Sequence, residues 1–103
     1  MRVKFPGNYR IVIDLDDGRE RELLLKESIV LEVYGEDKYI FVEYKPLNIM
    51  SWIEGEMWEM AVREFFLDLI EVYEDYVMCD TEELTRDAVE LRHKLEDLME
   101  LVK

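Results

Sequence analysis

The sequence has no glutamine, and only two asparagines, two serines and two threonines. Its surface must therefore be built from charged groups, which make up 38% of the residues. A chain rich in Glu and poor in uncharged polar residues has the composition of a heat-stable protein, in which exposed charge supports the fold at high temperature. One cysteine, Cys79, excludes an intramolecular disulfide and fits a reducing compartment. One histidine, His93, leaves no Cys/His cluster with zinc spacing. The four glycines form no phosphate-cradling loop. No run approaches the ~18 apolar residues of a membrane-crossing helix, and "MRVKFPGNY" contains no signal-type apolar segment. These absences lead to the expectation of a soluble, cytoplasmic protein.

Positive charge is also scarce. Thirteen Lys and Arg stand against twenty-six Asp and Glu, a net charge of −13 and a pI near 4.4. Such a chain is repelled by nucleic-acid phosphates and by anionic membrane surfaces. The one cluster of bases, Arg10, Arg19 and Arg21, is surrounded by Asp16, Asp17, Glu20 and Glu22. Direct nucleic-acid and membrane binding are thus not expected; basic proteins and cations are.

Half of the 103 residues are hydrophobic, enough for one domain with its own core. The first half alternates with period two. "YRIVIDL" and "RERELLLK" flank the turn-forming "DDG" at Asp16–Gly18 and predict one hairpin. "SIVLEVY" and "KYIFVEYK" predict a second. Both faces of that second pair are substantially apolar, which suggests central strands, or strands whose second face is covered. "RVKF" at Arg2–Phe5 fits a short edge strand, and Pro46 is expected to end the sheet.

After that point the period becomes 3.6. "SWIE" at Ser51–Glu54 reads as a capping box, although Gly55 allows a later start. The first helix is expected over residues 51–78, and a second, signalled by "DTEE", over 81–102. Helix one is apolar over half its circumference. Helix two has a narrow seam of Leu84, Ala88, Leu91, Leu95, Leu98 and Val102, flanked by the pairs Glu82–Arg86, Glu90–Lys94 and Arg92–Glu96. The expected architecture is α+β, a single domain over 1–103. A four-stranded antiparallel sheet of two hairpins (1–46) is followed by a helical hairpin on one face, in the order ββββαα.

Candidate chemistry is thin. His93 reads as a solvated helix residue and Cys79 as a small residue in the inter-helix turn, with no base beside it. "DLDDGRERE" has an EF-hand look, but its glycine stands one place early and a strand follows it. What stands out is residues 54–83, with eleven acids against one base, Arg63. Glu64, Asp68, Glu71 and Asp75 share one ridge of helix one. Like charges at that spacing repel, so the ridge is either a solubilising face or a docking face for a basic partner. Asp68, Glu71 and Asp75 also offer oxygen ligands for weak calcium or magnesium binding; no cofactor is required. Trp52 and Trp58, among Met50, Met57 and Met60, either cap the open end of the core or, where exposed together, mark a self-association or partner patch. The leading reading is a non-catalytic, homodimeric interaction protein with an acidic face toward a basic partner. A divalent-cation binder is the alternative, and an enzyme of unknown class stands third.

Overall fold

The computed structural model describes residues 1–78 and 85–103. The expected turn at Cys79, the helix-start signal at 80–83 and Leu84 of the seam lie outside the described residues.

The molecule is α+β, with two antiparallel sheets and two helices. The chain runs β1 (Arg2–Phe5), β2 (Arg10–Asp14), β3 (Glu20–Leu25), β4 (Ile29–Glu36), β5 (Tyr39–Tyr44), β6 (Ile49–Glu54), α1 (Trp58–Tyr76), α2 (Arg86–Leu98) and β7 (Met99–Leu101). The two hairpins form where the alternation places them. Ile11 faces Leu23 in β2–β3, and Val33 faces Val42 in β4–β5. Gly18 turns the first hairpin with φ 85°, and Asp37 turns the second with φ 55°.

The hairpins do not join into one sheet, which corrects the expectation of a single four-stranded sheet. One sheet has the order β1-β4-β5-β6, the other β2-β3-β7. "RVKF" is indeed an edge strand, but it pairs with β4, with Val3 opposite Leu31. The chain leaves β1 through Pro6-Gly7-Asn8, where Asn8 takes φ 64°, and enters the other sheet.

Three local expectations are also corrected. Pro46 does not end the sheet. It lies in a 3₁₀ turn at Lys45–Leu47, closed by left-handed Asn48, which returns the chain as β6 against β5. Ser51 is not a helix cap. "IMSWIE" alternates inward and outward, and that strand period prevails over the local capping pattern. The first helix starts only after Gly55, at φ 146°, with Met57 as a cap that makes no side-chain bond. The last helix stops at Leu98, and Met99–Leu101 then pair with β3, Leu25 opposite Met99. Thr85 caps α2, its hydroxyl accepting from the Ala88 N–H at 3.3 Å. Arg92 pairs with Glu96 as expected, at 3.1 Å, while Glu90 takes Arg86 at 3.7 Å.

Both sheets and both helices contribute to one core. Leu23, Leu25, Leu31, Val42, Phe65, Leu69, Leu95 and Met99 are fully buried in it. α1 packs against β5, β6 and α2. Its buried residues, Ala61, Val62, Phe65, Phe66, Leu69 and Ile70, follow the 3.6 period.

Candidate functional site

The acidic ridge of α1 is not uniform. Glu71 and Asp75 are exposed, whereas Glu64 and Asp68 are half-buried. Asp68 leans toward β6, where the Ser51 hydroxyl donates to its Oδ2 at 2.6 Å. Among the described residues Ser51 is the one buried polar residue of the core, 2% exposed, and the carboxylate answers its hydroxyl. Asp68 therefore joins helix to sheet. Its neighbour Glu74 makes a similar join, accepting from Arg21 of β3 at 2.9 Å. Among the described residues, no three His, Cys, Asp or Glu side chains gather in a way that could hold a metal ion. No helix among them is long and apolar enough to cross a membrane.

The two tryptophans lie on different elements and join a larger group. The inner face of the four-stranded sheet is spent on the core. Its outer face carries Tyr34, Phe41 and Trp52 in one cross-strand row, since Tyr34 pairs with Phe41 and Phe41 with Trp52. The Tyr34 and Phe41 rings stack at 5.3 Å and 16°. Tyr39 meets Trp52 edge-on at 5.5 Å, and the Lys38 ammonium lies 5.7 Å over the Tyr39 ring. Tyr34 reaches Met50 Sδ at 3.5 Å. Trp52 is 57% exposed, and Val30, Tyr34 and Met50 are exposed beside it. Trp58, at the start of α1, lies around the sheet's end. With Tyr34 and Tyr39 it lines a hollow of about 330 Å³. Two of these rings, Tyr34 and Phe41, lie on the strands whose two apolar faces call for a second cover. Trp52 could join them only once 49–54 was known to be a strand.

Charge around this face is mixed. Lys45 Nζ lies 3.0 Å from Glu32 and Arg2 Nε 3.9 Å from it. The Lys45 hydrogen bond holds the Glu32 carboxyl below its usual range, and Glu32 in turn raises Lys45. At the far end Lys38 pairs with Glu54 at 3.4 Å. A face of rings within a balanced rim can exclude water from a partner's apolar side chains without repelling a charged one. His93 is exposed on α2.

No family model matches the chain, and no curated protein or solved structure matches it significantly.

Proposed function

We propose that the chain is a non-catalytic, self-associating interaction protein. In this reading the outer face of the β1-β4-β5-β6 sheet receives a partner protein, and the exposed acids of α1 favour a basic one. The observation that carries it is the Tyr34–Phe41–Trp52 row, Tyr34 and Trp52 exposed and Phe41 half-buried between them, on strands whose other face is core. Clustered aromatic residues with methionine are the composition of contact-surface centres. α1 packs on the inner side of the same sheet. Its acids therefore act as a separate, electrostatic surface that raises the encounter rate with a basic partner more than it adds affinity.

A photo-crosslinking residue placed at Trp52, and in a control at Glu20 of β3, tests the reading in cells. Capture of one defined protein from position 52 and not from position 20, lost with Phe41→Ser, is the expected result. Glu71→Lys with Asp75→Lys should weaken that capture and leave the fold intact. Asp68 is spared because it holds Ser51. Equal capture from both positions would overturn the proposal.

A further inference from the structure

The edges of the two sheets are guarded unequally. β1 presents Arg2 and Lys4, the charged residues that discourage strand addition. β6 has α1 against its inner side and ends in Glu54, and β7 is three residues long. β2 is the exception. It is a five-residue edge strand, "RIVID", without lysine, proline or bulge, and its two charged residues, Arg10 and Asp14, are of opposite sign where those of β1 are both positive.

Its backbone is divided in two. The Leu25 N–H donates to Tyr9 O at 2.9 Å and the Leu15 N–H to Arg19 O at 2.8 Å. Antiparallel alternation therefore turns the odd-numbered residues of β2 toward β3, and Arg10, Val12 and Asp14 toward the open edge. The side chains of these three also face outward, and Val12 is 53% exposed. Beside the edge runs a hollow of about 400 Å³ between β2 and the first turns of α1, with Val62 and Phe66 in its wall.

The strand is its own complement. Set antiparallel to a second copy about Val12, "RIVID" places Val12 opposite Val12, Ile11 opposite Ile13, and Arg10 opposite Asp14 on both sides. The centre falls on an even-numbered residue, so the groups facing the open edge become the hydrogen-bonded pairs, roughly six main-chain bonds in all. The Asp14 carbonyl, which already accepts from Arg63 at 2.8 Å, keeps a second lone pair. Centring on Ile11 or Ile13 would keep that hydrogen-bond parity but lose both Arg–Asp pairs. Charge thus selects the Val12 register.

We infer that two copies pair through β2 about Val12, joining their three-stranded sheets into one six-stranded sheet, β7-β3-β2-β2-β3-β7. This deepens the self-association in the reading above and rests on that part of it, but it uses a surface separate from the aromatic face. The partner is a second copy of this chain, recognised by backbone pairing and by Arg10 against Asp14.

Sedimentation velocity from about 1 to about 100 μM spans the range in which a complex of micromolar affinity forms. The expected result is a mass that doubles across it, with the Val12 amide increasingly protected from hydrogen exchange as the pair fills. Arg10→Asp or Asp14→Arg should each raise Kd roughly tenfold, because each substitution turns two attractive contacts per pair into repulsive ones. The double variant, with the charges exchanged, should recover most of the affinity. Val12→Lys should abolish pairing while far-UV circular dichroism stays unchanged. A monomer at every concentration, singles without effect, or a double no tighter than the singles would each overturn the inference. Pairing that survives Val12→Lys but is lost with Trp52→Glu would place the copies on the aromatic face. That outcome would remove the β2 contact while leaving the proposed binding face in use.

Discussion

The two sheets are built alike and finished differently. Each is antiparallel, and each spends one face on the shared core. The outer face of β1-β4-β5-β6 carries Tyr34, Tyr39, Phe41, Met50 and Trp52. The outer face of β2-β3-β7 carries Arg10, Asp14, Glu20, Glu22 and Glu100, with Val12 and Leu24 between them. Charges on a solvent-facing sheet need no partner. A row of rings there is apolar surface outside the core, the kind of surface on which the proposed partner reading rests. The contrast sets buried and solvent-facing positions side by side on a single element. Along β4 and β5 the even and odd positions serve different purposes.

The largest effect that tests this contrast is in the core. Leu31 is fully buried on β4, and Leu31→Ala should cost about 2–5 kcal/mol in a urea titration. Phe41→Ala, on the outer side of the neighbouring strand, should cost no more than roughly 1 kcal/mol, the scale of a cross-strand ring pair. Equal losses would mean that the rings hold the sheet together, and the case for a contact face would weaken.

Next in size is the link between α1 and β6. Asp68→Ala leaves the buried Ser51 hydroxyl without its 2.6 Å acceptor and should cost about 1–3 kcal/mol. The double variant Ser51→Ala with Asp68→Ala should recover part of that loss, since no buried donor is then left over. Glu71→Ala, exposed one turn further along, should stay within about 0.5 kcal/mol. If instead Asp68 and Glu71 behave alike, the ridge is one solvated face and the tie to Ser51 contributes nothing. A calcium titration watched by NMR adds a second reading. Saturable shifts at Asp68, Glu71 and Asp75 below millimolar concentration would favour a cation site. Shifts that grow linearly report only charge screening.

What could be read from the sequence follows the length of each periodic signal. The two hairpins carry their period over many residues and form where it places them, whereas α1 keeps the 3.6 period only over Trp58–Tyr76 and starts later than the expected 51. β6 and β7 were missed because six and three residues give weak signals, and each was overlaid by a helical one. "SWIE" satisfies a capping rule and a strand alternation at once, and only burial of Ser51 beneath α1 decides between them. Met99 lies next to a heptad seam that points onward to Val102, yet pairing with the open side of β3 wins. The separation into two sheets depends on β1 choosing β4 over β2. That contact spans about thirty residues and leaves no local mark. The acidic ridge is visible as composition, but the half-burial of Asp68 is not, because its partner Ser51 stands in a helix-capping pattern. The apolar second face of β4 and β5 was legible, and it became a candidate surface once β6 added Trp52.

The smallest effects compare the two sheets through their exposed carboxylates. On one sheet Glu32 is held below its usual range by the Lys45 ammonium. At the hairpin turn of the other, Asp17 is held down first by the Arg19 backbone N–H, at 3.0 Å, and then by the Arg19 side chain. Both have folded pKa values below their unfolded ones. Each therefore contributes stability that is present above the unfolded value, near 4.5 for Glu32 and 3.8 for Asp17, and lost as pH falls through the folded one. Lys45, raised by the same pair, carries the opposite sign. Its contribution is present below about 10.5 and fades as pH rises past it. Salt separates the two carboxylates. At about 1 M the screening length is about 3 Å, so an ion pair weakens while a short hydrogen bond to the backbone persists. NMR titration should show the Glu32 pKa moving back toward its ordinary value in high salt, with Asp17 moving less. Equal recovery would mean that the turn at Asp17 is held by the Arg19 guanidinium alone, and its backbone bond would be the contact to discard.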